Sequence, residues 1–129
     1  MAGGLSSEAP HFPRPSGIDA YGQGGFVFAG MSHRGSLLCL PDGIWAWPIS
    51  SKEELSLDLL EPVFARAEAL DFFLLGAGPD PWPLPGHLRA RFRELNLPVD
   101  SMATGSAVST YNILLGERRR VAAGLIAVP

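Results

Sequence analysis

The sequence predicts an α/β fold: a three-layer single domain with a central mixed, largely parallel sheet flanked by helices, and an N-terminal β-hairpin layer. Three observations predict it. From about residue 57 onward, helical and extended patterns alternate as α, β, α, β, α, β, the order that builds a parallel sheet with crossovers. Residues 18–48 instead hold short apolar runs separated by glycine-rich turns, the pattern of antiparallel hairpins. The length, 129 residues, suits one domain. A chain of that size buries about two-thirds of its unfolded surface and needs no disulfide or metal to fold.

Residues 1–16 contain three prolines, two glycines and little apolar surface. They are expected to form a flexible N-terminal tail before a single domain at 17–129, with His11 and Phe12 the residues able to touch the body. Ile18–Tyr21 reads as a first strand, followed by turn-forming Gly22, Gly24 and Gly25. Phe26–Ala29 is a second strand, and residues 30–35, with His33 and Arg34, form a polar turn. Ser36–Leu40 is apolar enough for burial on both faces. Pro41-Asp42-Gly43 is a turn, because Pro presets φ and Gly accepts positive φ. Ile44–Pro48 returns as a fourth strand, completing an antiparallel meander.

The period then changes. Leu60, Val63, Phe64 and Ala67 fall at i, i+3, i+4 and i+7, one helical face. Ser56 or Asp58 supplies the cap. Pro62 is tolerated only in a first turn, so the helix is expected to start near Leu60. Asp71–Leu75 is a short buried strand ending at Gly76-Ala77-Gly78. Residues 79–85 carry four prolines and Trp82, an irregular connection. A second helix follows over 86–95, with Leu88, Phe92 and Leu95 inward and Asn96 as its C-cap. Val99–Met102 is a strand, residues 106–116 a third helix, and Val121–Val128 a closing strand. Ala107, Val108, Tyr111, Leu114 and Leu115 give the third helix its inner face.

Charge and cysteine content narrow the function classes. Net charge is −3, divided unevenly: residues 1–84 carry four basic and ten acidic side chains, residues 85–129 six basic and three acidic. That balance argues against a general nucleic-acid binder, and no stacking platform accompanies the arginines. The basic third is either a solvated face or a place for a small anion or an acidic partner surface. Cys39 is the only cysteine, so no internal disulfide forms and a cytoplasmic setting is expected. No apolar run reaches the roughly 18 residues of a membrane span, and the opening residues lack the basic start and apolar core of a signal peptide. No membrane insertion is expected.

Ligands of open α/β sheets bind beyond the carboxyl ends of the strands. Two such ends are visible here: Gly76-Ala77-Gly78, and the run Ala103 to Ser106 that opens the third helix with Thr104, Gly105 and Ser106. Lying side by side, they would form a cleft with free helix N–H groups at its mouth, suited to an anion. The competing account makes the glycines plain turns and Thr104 or Ser106 a helix cap. Thr110, Tyr111 and Asn112 sit mid-helix, where Thr and Asn are mediocre helix formers, so they either line the cleft or are buried polar groups satisfied by backbone. Arg118, with Arg119 and Arg120, forms a basic corner after the helix. Neither glycine loop matches a nucleotide-binding fingerprint. His11, His33 and His87 lack metal-ligand spacing, and no serine has a nucleophile-elbow context. The residues therefore name no catalytic group, metal site or cofactor, and they leave oligomeric state open.

The run from Met102 to Ile126, MATGSAVSTYNILLGERRRVAAGLI, resembles the signature of a small uncharacterised α/β domain family, Mth938-like. Its members include the mitochondrial complex I (NADH dehydrogenase) assembly factor three and the adipogenesis-associated domain protein. Supporting matches are Ile18-Asp19-Ala20-Tyr21-Gly22, His33-Arg34-Gly35-Ser36, Pro41-Asp42-Gly43 and Leu74-Leu75-Gly76-Ala77-Gly78. The resemblance covers about residues 17–128. It implies a three-layer α/β fold, no established enzyme activity, and protein interaction linked to assembly of a respiratory or membrane complex. Three positions depart from the family pattern: Ala77 stands where Thr is frequent, Ala103 where Asp is, and Ser109 where Arg is. Two readings result: a non-catalytic interaction or assembly factor with a protein partner, or a small anionic-metabolite module or uncharacterised enzyme using the cleft.

Overall fold

The computed structural model describes residues 9–129; residues 1–8, half of the expected tail, lie outside the described residues. Among the described residues, eight strands and three α-helices follow one another. The strands are β1 (Ala20–Gly22), β2 (Gly25–Phe28), β3 (Met31–Arg34), β4 (Ser36–Leu40), β5 (Gly43–Trp47), β6 (Phe72–Gly76), β7 (Val99–Met102) and β8 (Val121–Leu125). The helices are α1 (Leu57–Phe64), α2 (Gly86–Glu94) and α3 (Thr104–Gly116).

The central sheet has the order β5-β4-β8-β6-β7. β7, β6 and β8 run parallel, while β4 lies antiparallel to both β8 and β5, so the sheet is mixed. Strict alternation along each strand divides the core in two. Leu38, Leu40, Trp45, Trp47, Phe73, Leu75 and Ala122 face Leu60, Val63 and Phe64 of α1 and Leu88 and Phe92 of α2. Leu37, Cys39, Ile44, Leu74, Val121, Ala123 and Leu125 face Ala107, Val108 and Tyr111 of α3, together with Phe26 and Phe28 of the small sheet. Trp45 and Trp47 are thus core residues, and Trp82 packs half-buried against the first cluster.

The first half departs from a continuous meander. β1, β2 and β3 form a separate three-stranded sheet, whereas β4 and β5 join the central one. Residues 31–34, expected in a polar turn, are the strand β3. The turn before it is only Ala29-Gly30, both at positive φ (49° and 74°), as a tight hairpin turn requires. Alanine rarely adopts that conformation, so the sequence does not advertise the turn. Gly35, at φ 96°, then redirects the chain out of the small sheet, and Ser36 begins β4. The Ser36 hydroxyl fixes this crossing: it donates to Ile49 O (2.7 Å) and accepts from Ala127 N (2.9 Å).

Helix α1 starts a turn earlier than Pro62 suggested. Ser56 caps it, its hydroxyl accepting the Leu59 N–H at 3.2 Å, and Pro62 sits inside the helix. Pro62 leaves Asp58 O without its helical donor; nearby, Trp47 Nε1 donates to Leu59 O (3.0 Å) and Arg66 to Pro62 O (2.8 Å). Asn96 ends α2 as expected, at φ 55°, with Leu97 N donating back to Phe92 O (3.0 Å). Part of the expected tail is tied down. His11 N donates to Ile44 O (2.9 Å), and Ile44 N donates to Phe12 O (2.9 Å), placing Phe12 as a bridge on the outer edge of β5.

Candidate functional site

The Gly76–Gly78 loop and the first turn of α3, which starts at Thr104 and not at 106 as expected and so takes in Gly105, meet at the carboxyl ends of β6, β7 and β8, and one threonine joins them. Thr104 opens α3 and is fully buried, 0% exposed. Its hydroxyl donates to Ile126 O (2.8 Å) beyond β8 and accepts from Gly78 N (3.0 Å) beyond β6. Its own N–H donates to Gly78 O (2.8 Å). Ala77 N donates to Met102 O (2.8 Å) and Ile126 N to Gly76 O (2.9 Å), completing the crossing. Neither Thr104 nor Ser106 acts as a helix cap: the residue preceding the helix is Ala103, which has no capping oxygen, and the first turn carries no acidic side chain.

The glycines have steric causes. A Cβ on Gly76 would lie 3.0 Å from Thr104 Cα and 3.2 Å from Ala107 Cβ, so glycine lets α3 press on the end of β6. Gly78 sits at φ 117°, a conformation that side-chain-bearing residues resist. Gly105 lies directly under the Tyr21 phenol, whose hydroxyl occupies the space a Cβ would need. Ala77 is buried and points into the first core cluster.

Beside this crossing is an open groove of about 920 Å³, lined by Tyr21, Gly78, Ala103, Gly105, Ser106, Ser109, Thr110 and the chain's last residues. None of its lining side chains carries a charge. Of the residues singled out in the sequence, Gly78, Gly105, Ser106 and Thr110 line it; Gly76, Ala77 and Thr104 lie beneath it as structure. Tyr21 and Ser109 also line it. Tyr21 belongs to the Ile18–Gly22 run and Ser109 is one of the departures from the family pattern, but nothing local to either residue places it beside α3.

Tyr111, Asn112 and Arg118 stand apart from the groove. Tyr111 is buried in the same core cluster as Cys39. Burial pushes the Cys39 thiol up to about 12 and the Tyr111 phenol further above its ordinary range, so both stay neutral. Asn112 spends both ends of its amide on one residue: its Oδ1 accepts from Ile18 N and its Nδ2 donates to Ile18 O, each at 2.8 Å. That pair fastens the entry to the small sheet onto α3. Arg118 lies beyond the other end of the 13-residue helix, roughly 12 Å along its axis from Thr110, the last helix residue to line the groove, at 1.5 Å per residue. The basic corner there is partly neutralised. Arg120 reaches Asp71 at 2.8 Å and Arg119 at 3.8 Å, and Arg120 holds that carboxyl below the usual carboxylate range.

Among the described residues, no group of three or more His, Cys, Asp or Glu side chains is placed to hold a metal ion. No helix among them is long and apolar enough to cross a membrane.

The chain is similar to a Rhodopseudomonas palustris protein, Rpa2829, at 54% identity with TM-score 0.82, covering all of this chain and 94% of that one. It is similar to a Bartonella henselae protein described as an outer membrane protein, at 42% identity with TM-score 0.89, covering 92% of this chain and 100% of that one. A Bordetella pertussis Mth938-like domain shares the fold at 22% identity and TM-score 0.74, over 86% of this chain and 85% of that one. Among curated relatives, the NADH dehydrogenase 1 alpha subcomplex assembly factor 3 of Xenopus tropicalis is 27% identical over 84% of this chain, which spans only 60% of that protein's length. A family model described as "Protein of unknown function (DUF498/DUF598)" matches residues 18–126, nearly the whole of the described domain, and the chain belongs to that family.

Proposed function

We propose that this protein is a non-catalytic, assembly-type factor that docks on a protein partner along the groove and the outward face of α3. The observation that carries the reading is the similarity to assembly factor 3 proteins. The site's chemistry supports it. Thr104 and Asn112, polar groups available to a reaction, are spent on internal hydrogen bonds, and Tyr111 is buried in the core. Ala103 and Ser109 stand where the family pattern often carries charge, and here the groove is lined by no charged side chain.

What faces outward suits a protein surface. Tyr21 is 49% exposed at the groove, and Ile113 is 61% exposed on the same face of α3 as Ser106 and Ser109. An aromatic and a branched aliphatic side chain around small hydroxyl residues is the composition of an interface anchor and its surroundings. A component of NADH dehydrogenase is the first partner class to test. The tagged protein purified from its native cell should return such a component in stoichiometric amount. Tyr21→Ser and Ile113→Asp should each lower recovery about tenfold while the circular dichroism spectrum is unchanged. Repeated recovery of the bare protein, or equal recovery by both variants, would defeat the reading.

A further inference from the structure

The segment before β1 is held on the body by few bonds, and at its centre lies a pair of imidazoles. His11 and His33 meet edge to face, ring centroids 5.4 Å apart. His11 belongs to the segment that bridges the β5 edge; His33 belongs to β3, with its Nε2 3.2 Å from Ser36 O. The segment's other contacts include Phe12 edge-on to Phe28 at 6.2 Å and packed against the second core cluster, and the backbone bonds to Ile44. Two of its atoms lie over Gly43: a Cβ there would sit 2.8 Å from both Phe12 O and Pro10 Cβ.

We propose that residues 10–14 are a releasable strap over the β5 edge, and that protonation of the His11–His33 pair lifts it. Two imidazolium rings at this separation repel, whereas neutral rings pack. The groups facing His33 give no relief. The strap contributes His11 and, over the Phe12 ring, Arg14; β3 contributes Arg34; β2 and β4 contribute the uncharged Phe26 and Ser36. Among the described residues, no carboxylate is one of these groups. Burial and His11 both hold the His33 imidazole below its ordinary range, although its bond to Ser36 works the other way. A group so lowered favours the closed state above its free value of about 6.5, and that preference fades as pH falls. Lifting the strap leaves the Ile44 N–H and C=O as unpaired edge groups.

Amide hydrogen exchange on the full chain tests this at Ile44, whose N–H donates to Phe12 O, with Ala123 of β8 as the internal reference. Between about pH 7.5 and about pH 5, the Ile44 protection factor should fall about tenfold or more while that of Ala123 holds. His11→Gln with His33→Gln should abolish the fall; if that double variant does not fold, His11→Gln alone should reduce it. Gly43→Ala should leave Ile44 unprotected at both pH values, because the added methyl displaces the strap without touching either histidine. Equal Ile44 protection at both pH values, a fall that persists without the histidines, or protection retained in Gly43→Ala would each overturn the proposal.

Discussion

Thr104→Val should cost about 2–6 kcal/mol of stability, although the two side chains are nearly the same size. Threonine here is fully buried and its hydroxyl makes two bonds, one to Ile126 O and one from Gly78 N. Valine keeps the packing and removes both. A buried acceptor and a buried donor are then stranded, at about 1–3 kcal/mol each. The melting temperature should fall by roughly 10 °C, from the usual relation between stability and melting temperature in domains of this size. Differential scanning calorimetry with denaturant titration measures both. Thr104→Ser is the matching control: it keeps the hydroxyl, loses one methyl, and should cost about 1 kcal/mol. If valine cost no more than serine, the account of Thr104 as the joint between the two loops would be wrong. The same measurement bears on function, because this joint forms the floor of the groove.

Gly124→Ala should be destabilising by about 2–4 kcal/mol, through overpacking with little room for relief. Gly124 lies in β8, between β4 and β6, at the middle of the central sheet. A Cβ there would fall 2.6 Å from the Trp47 ring and 3.1 Å from Phe73 Cζ. The indole cannot simply swing away, because its Nε1 is bonded to Leu59 O at 3.0 Å. Phe73 is stacked on Phe92 at 5.5 Å, so it too is held from behind. Either the tryptophan gives up its bond or the sheet bends. Chemical denaturation should show a lower midpoint, and near-ultraviolet circular dichroism should change as the indole moves. An unchanged aromatic spectrum together with wild-type stability would refute the packing argument. Trp47→Phe combined with Gly124→Ala should recover part of the loss, since the smaller ring vacates the contested space.

Much of the architecture is legible in the chain because burial there has a local period. Leu88 and Phe92 of α2, and Ala107, Val108 and Tyr111 of α3, are inward as their spacing says. The alternation in β4, with Leu38 and Leu40 on one face and Leu37 and Cys39 on the other, is equally visible. Asn96 and Ser56 carry recognisable end signals and do what those signals predict. Where local rules failed, a distant contact had overruled them. β3 rests on an Ala-Gly turn that alanine does not favour, held by pairing to β2. Pro62, by contrast, sits inside α1 with no N–H to give Asp58 O, and Asp58 is exposed, so solvent can serve that carbonyl.

The candidate site divides the same way. That two glycine loops close β6 and open α3 was set by the sequence, because glycine's backbone freedom and the alternating periods are properties of adjacent residues. What those loops do was decided by folding. Thr104 meets Ile126 across 22 positions, and Asn112 meets Ile18 across 94. Tyr21 comes to rest on Gly105, and Arg118 is carried to the far end of the helix. A hydroxyl or an amide has the same local signature whether it binds a ligand or another part of its own backbone. Only the partner distinguishes them, and the partner is chosen by the packing of segments far apart in the chain.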